Sequence, residues 1–140
     1  MSKIVNTLAA VAALTAQLAL ASARAEEPVA LGQFSLSLEV KDIRKSRDFY
    51  QKLGFEKVLG DVDRKWLILK NNTNNTVIGL FQDEWKGFKL TFNPTDVRGV
   101  QRQLKARGIK FELEAKGDKG PAYAVIKDPD GHEILLDQHN

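Results

Sequence analysis

The sequence predicts an α+β fold made of two tandem βαβββ units, and three observations carry that expectation. Phe34, Asp42 and Gly54 recur as Phe88, Asp96 and Gly108, each shifted by 54 residues, and three matches at one offset are harder to obtain by chance than one. Phe34 to Val40 alternates apolar and polar residues with period two, the pattern of a strand with two different faces. Asp128-Pro129-Asp130-Gly131 places proline and glycine where a tight turn between two strands wants them.

Taken in order, residues 1 to 25 differ from everything that follows. Lys3 precedes an apolar run from Thr7 to Ala21, broken only by Gln17, and Ala23-Arg24-Ala25 offers small residues at the spacing of a cleavage site. This reads as a secretory signal peptide cut after Ala25, because a run of ~15 residues is short of the ~20 that span a bilayer. Residues 26 to 33, with Pro28 and Gly32, read as a linker, and residues 34 to 140 as one domain whose units cover 34 to 81 and 88 to 137.

In the first unit, Asp42 caps a helix whose buried stripe is Ile43, Phe49, Tyr50 and Leu53, and Gly54 ends it. Strands are expected over 55 to 59, 65 to 70 and 76 to 81, with the asparagine-rich 71 to 75 as a turn. In the second unit a helix buries Val97, Val100 and Leu104, and strands follow over 109 to 114, 122 to 127 and 133 to 137.

Composition narrows the function. The 140 residues contain no cysteine, which removes disulfides, thiolate metal sites and cysteine nucleophiles. The net charge of +3 comes from 21 basic and 18 acidic side chains; without Lys3 and Arg24 the basic count falls to 19 and the net charge to +1. A nearly neutral mature domain gives no electrostatic reason to expect nucleic acid or a membrane as partner. Arg98, Arg102 and Lys105 form a basic stripe expected to face water, and Asp61 and Asp63 are expected to be solvated turn residues.

Leu38-Glu39-Val40-Lys41-Asp42, Ser46-Arg47-Asp48-Phe49-Tyr50, Leu53-Gly54-Phe55, and Asp128-Pro129-Asp130-Gly131 running into Ile134-Leu135-Leu136 together resemble the vicinal oxygen chelate superfamily. That superfamily includes glyoxalase I, extradiol dioxygenases and bleomycin-binding proteins. The resemblance covers about residues 34 to 138 and implies a glyoxalase-like fold, a curved mixed sheet around a cavity. In the enzymes of that family four side chains hold one divalent metal. Counting from the motifs, the four positions fall at Ser35, Gly79, Lys89 and Leu135. A serine, a glycine, a lysine and a leucine cannot replace imidazoles and carboxylates around such a cation. No metal and no cofactor are therefore expected, and no catalytic residue is assigned.

If Ser35 and Lys89 face the cavity, strand periodicity sends Ser37, Glu39, Thr91 and Asn93 the same way, together with Val77, Phe81, Glu133 and Leu135. Trp66 and Ile68 are further wall residues, with Trp66 either stacking on a ligand or packing in the core. The expected ligand site is Lys89, Ser35, Ser37, Glu39, Trp66, Phe81, Thr91, Glu133 and Leu135. Lys89 has three readings: an anchor for an anionic oxygen, a base or amine nucleophile, or a partner of Glu39 or Glu133 that fills the space of the metal. Trp85 lies between the units and either lines the cavity mouth or packs at an interface. His132 has helix-face parity and His139 sits in the tail, so neither is expected to ligate a metal.

The leading expectation is an exported protein, periplasmic or secreted, that binds an anionic or aromatic small molecule without metal. Two other readings stand beside it: a lyase or dioxygenase with a non-standard metal site or none, and a module that docks on another protein. A homodimer is the preferred assembly, although a chain carrying both units can complete its own sheet.

Overall fold

A computed structural model describes residues 26–140; the expected leader and its cleavage site lie outside these residues. The chain forms β1 (Gln33–Glu39), α1 (Ile43–Lys52), β2 (Phe55–Asp61), β3 (Trp66–Asn71), β4 (Val77–Phe81), β5 (Phe88–Asn93), α2 (Val97–Ala106), β6 (Phe111–Leu113), β7 (Ala122–Lys127) and β8 (Glu133–Gln138). This is the expected pair of βαβββ units. The eight strands make one sheet in the order β2-β3-β4-β1-β5-β8-β7-β6. Within each unit the first and last strands pair in parallel, β1 with β4 and β5 with β8. The units join where β1 and β5 run antiparallel, with Ser35 opposite Thr91 and Ser37 opposite Lys89.

The period-two pattern decides the two faces. Leu36 and Leu38 of β1, Leu67 and Leu69 of β3, and Ile78 and Leu80 of β4 pack with Ile43 and Tyr50 of α1. The second unit builds a separate core from Val97 and Val100 of α2 with Ala124 and Leu136, flanked by Phe92, Leu104 and Ile134. Both helices thus cover one face of the sheet. Ser35, Ser37, Trp66, Ile68, Thr91 and Leu135, at alternate positions, lie on the other.

Each helix is capped twice. The Asp42 carboxylate accepts from the amides of Arg44 and Lys45, and Asp96 accepts from Gly99. The residue after β4 and the last residue of β8 do the same job from a distance: Gln82 Oε1 accepts from the Ile43 amide and Gln138 Oε1 from the Val97 amide, both at 3.0 Å. These bonds tie each helix N-terminus to its own sheet and satisfy amides that no helix can satisfy itself. Gly54 and Gly108 follow the helices at φ 85° and 81°, the left-handed geometry that favours glycine.

Several expectations need correction. Phe49 and Leu53 are 57 % and 54 % exposed rather than buried; on an α-helix Ile43 and Tyr50 share a face, while Phe49 lies roughly 120° around from it. The second strand of the second unit is shorter than expected, because the Ile109 amide still bonds to Leu104 O and leaves only Phe111–Leu113 for pairing. Residues 26 to 33 are not a free linker. Val29 and Leu31 pack on the second core, Glu26 pairs with Arg107 at 3.2 Å, and β1 already begins at Gln33. The basic stripe faces water at Arg102 and Lys105, as expected, whereas Arg98 is tied down by donating to the carbonyls of Lys116, Gly117 and Gly120. Asp63 is a solvated turn residue as expected, 80 % exposed while it pairs with Arg44. No helix among the described residues is long and apolar enough to cross a membrane.

The packing separates the two kinds of apolar residue. Leu80→Ala, at a site with no exposure, is expected to lower unfolding free energy by about 2–5 kcal/mol in urea denaturation. Leu53→Ala, at an exposed site, is expected to cost about 0.5 kcal/mol or less.

Candidate functional site

The uncovered face of the sheet curves into a cleft of about 590 Å³. Its first wall is apolar and comes from the first unit: Val58 and Leu59 of β2, Trp66 and Ile68 of β3, Val77 and Phe81 of β4. Its floor is the seam between the units. There Ser35, Ser37 and Thr91 are buried, and the Ser37 and Thr91 hydroxyls are hydrogen-bonded at 2.8 Å. Leu135 continues the floor onto β8, and Gln33, Asn93, Asp137 and His139 close one end.

Six of the nine expected ligand-site residues therefore line the cleft: Ser35, Ser37, Trp66, Phe81, Thr91 and Leu135. Lys89, Glu39 and Glu133 do not. Their parity is right, but they stand at strand ends, where partners take up their charge. Lys89 and Glu133 are neighbours on the paired strands β5 and β8, and the ammonium is engaged by the Glu133 carboxylate. Glu39 accepts from the Gly87 amide at 3.3 Å and has Lys86 at 3.7 Å. Of the readings of Lys89, pairing with Glu133 is the one whose geometry is present. The Lys89 amine also lies 5.2 Å from the centre of the Trp85 ring, and Trp85 packs on Phe81 at 4.6 Å between ring centres. Trp85 thus backs the apolar wall, and its indole N–H is buried with no partner among the described residues.

Asp137 was passed over although the expected last strand runs to it, and His139 was missed because it was taken to lie in a tail. Continuing the alternation from Leu135 by two and by four residues reaches both. The Asn93 side-chain amide fastens this end: its nitrogen donates to Asp137 O at 3.1 Å and lies 3.1 Å from His139 Nε2. The Asp137 carboxylate is 3.6 Å from the same imidazole nitrogen. Burial raises the Asp137 pKa above the ordinary aspartate value, and His139 opposes the rise when it carries charge. Burial likewise raises Glu84, at the far end of the cleft. Glu133 moves the other way, lowered first by its hydrogen bond from Lys89.

The donor set does not fit the superfamily's metal. An ideal Cβ at Gly79 would lie 2.5 Å from the Phe81 ring and 3.4 Å from Ile68, so apolar groups occupy the place of one ligand. Leu135 offers no donor, Lys89 brings a cation already paired with Glu133, and Ser35 is a lone hydroxyl. Among the described residues the side chains that do converge are Asp128, Asp130 and His132, in the turn before β8 and outside the cleft. His132 Nδ1 there lies 2.7 Å from Asp128, and the carboxylate also accepts from the His132 and Asp130 amides, so Asp128 is held below its ordinary pKa. The turn satisfies itself.

A buried carboxylate with a raised pKa costs stability when ionised, and the cost disappears as it takes up a proton. Asp137→Asn is expected to raise the thermal midpoint at pH 7 by roughly 2–5 °C. The gain is expected to vanish as pH falls toward the ~4 of an unfolded aspartate. Scanning calorimetry of both proteins across that range measures it; a constant offset at every pH would place the cause elsewhere.

Comparison with known proteins agrees with this geometry. The family model for the Glyoxalase/Bleomycin resistance protein/Dioxygenase superfamily matches residues 30–136. A search of curated proteins gives no match. Among solved structures, a Legionella pneumophila protein described as an NAD-dependent benzaldehyde dehydrogenase is similar at 20% identity and TM-score 0.65, over 77% of this chain and 100% of that one. Methylmalonyl-CoA epimerase from Mycobacterium tuberculosis is similar at 17% identity and TM-score 0.63, over 86% and 95%. A superfamily member from Vibrio splendidus 12B01 matches at 19% identity and TM-score 0.54, over 76% and 97%. At these identities the likeness establishes the fold alone, whereas the family match spans most of the sequence: the chain belongs to the Glyoxalase/Bleomycin resistance protein/Dioxygenase superfamily.

Proposed function

We propose that this chain is an exported small-molecule-binding protein whose cleft works without the superfamily's metal. The observation that carries the reading is the make-up of the cleft. A volume of about 590 Å³ is ample for a small ligand. One wall is apolar and aromatic, through Trp66, Ile68 and Phe81, and faces a floor of hydroxyls and amides from Ser35, Thr91 and Asn93. The four metal positions hold Ser35, Gly79, Lys89 and Leu135, whose chemistry supports hydrogen bonding and packing rather than Lewis-acid catalysis.

The ligand that suits this lining has an aromatic or apolar body and a small polar end. Lys89 is a weaker argument for an anionic ligand than its sequence position suggests, because Glu133 already neutralises it. Members of this superfamily bind small molecules and often dimerise. Here the seam between β1 and β5 supplies the whole floor from one chain, so a homodimer would add to the cleft without being needed to build it. Export rests on the apolar run and the small residues before Glu26.

Metal content and native mass spectrometry of the protein purified from the compartment to which it is exported test the reading. The expected result is no stoichiometric divalent ion and a co-purifying small molecule. One tightly bound divalent ion per chain would overturn it. Chelator is expected to leave the melting temperature within 1 °C or so of the untreated protein, since no folding energy comes from a metal. Trp66→Ala is expected to weaken a bound aromatic roughly tenfold, and Lys89→Ala less than about threefold, by direct titration.

A further inference from the structure

The cleft is polarised along the strands, with an aromatic end and a polar end. The aromatic end is made by Trp66 and Phe81, which are register partners on β3 and β4. The opposite end is made by Gln33, opposite Asn93 across the seam, with Asp137 of β8 and His139 just past that strand's end. The charged groups in the lining are Lys70, Glu84 and Asp137, with His139 as the titratable fourth. Lys70 stands on β3, separated from β8 by β4, β1 and β5 in the sheet. Asp137 has no lysine or arginine partner among the described residues; its ionic neighbour is His139.

The Asn93 amide bridges these two residues. One of its two N–H groups donates to Asp137 O, and its nitrogen lies 3.1 Å from His139 Nε2. In this arrangement no lysine or arginine among the described residues meets the Asp137 carboxylate at the half-exposed end of the cleft. Resting on the small-molecule reading above, we infer that Asp137 is the ligand's polar anchor, and that the cleft selects an aromatic or apolar molecule bearing a protonated amine over the corresponding carboxylic acid.

The geometry supplies both halves of the recognition. The amine hydrogen-bonds to the Asp137 carboxylate, a charge-assisted contact roughly twice as strong as a neutral one. The apolar body extends over Leu135 and the Ser35–Thr91 floor toward Trp66. A carboxylate in the same pose would face Asp137 directly, with Lys89 held away by Glu133. Acid weakens the preference, because burial raises the Asp137 pKa and the anchor takes up a proton early. The other groups that face this pair are Gln33 on β1, Asn93 on β5 and Tyr123, the register partner of Asp137 on β7. Lys70 and Glu84 share the cleft. None of Gln33, Asn93 and Tyr123 is a cation.

Calorimetric titration with 2-phenylethylamine, 2-phenylethanol and 3-phenylpropionate, on the purified protein at pH 8 and pH 5, tests the assignment. The expected order at pH 8 is amine, then alcohol, then acid, with at least a tenfold gap between amine and acid that narrows at pH 5. Asp137→Asn, expected to fold at least as well as the native protein, should bring the three within about threefold of one another. Equal or tighter binding of the acid at pH 8, or an unchanged preference in Asp137→Asn, overturns the anchor. If the alcohol binds and the amine gains nothing over it, the anchor fails and the small-molecule reading stands. If none of the three binds, both fail.

Discussion

The antiparallel seam between β1 and β5 is the contact on which the rest of the molecule depends. Each unit has its own hydrophobic core under its own helix, and the two cores share no buried residue. What turns two half-sheets into one is the pairing of Gln33 to Leu38 with Phe88 to Asn93, supported by the Phe34–Phe92 ring contact and the Ser37–Thr91 hydrogen bond. Without the seam there is no floor between the aromatic wall of the first unit and the polar end of the second. The cleft is a property of the join.

The same seam explains what the site can hold. Directly paired residues on β1 and β5 come close together, so small side chains at Ser35, Ser37 and Thr91 leave an open groove above them. Gly79, opposite both Ser37 and Ile68, makes room in the same way for the Phe81 ring. The room that metal ligands occupy elsewhere in the superfamily is here divided between empty cleft, an aromatic ring and an ion pair. Trp66 and Phe81 stand at one end of the cleft lining and Asp137 and His139 at the other.

Much of this was legible in the residues because strands and caps are local. Period-two alternation assigned Leu36 and Leu38 to the core and Ser35 and Ser37 to the cleft, and the repeat paired Asp42 with Asp96 as helix caps. What alternation cannot supply is the position along a strand at which a long side chain meets a partner. Lys89 has the parity of a cleft residue, yet its ammonium reaches Glu133, 44 residues away. The glutamine caps were invisible for the same reason, spanning 39 and 41 residues. Phe49 was misplaced because apolar character alone does not fix a residue's angle around a short helix, and His139 because it follows a strand that runs on to Gln138, past its last apolar residue, Leu136.

The account's central claim is that a ligand sits across the seam, between the aromatic wall and the polar end. Methyl and indole NMR during titration with 2-phenylethanol tests it most directly. Shifts are expected at the Ile68, Val77 and Leu135 methyls and the Trp66 indole, with none at Val97 or Val100 under α2. Shifts confined to the exposed Phe49 and Leu53 side of α1, with the Leu135 methyls unmoved, would contradict it and make the outer helix face the binding surface.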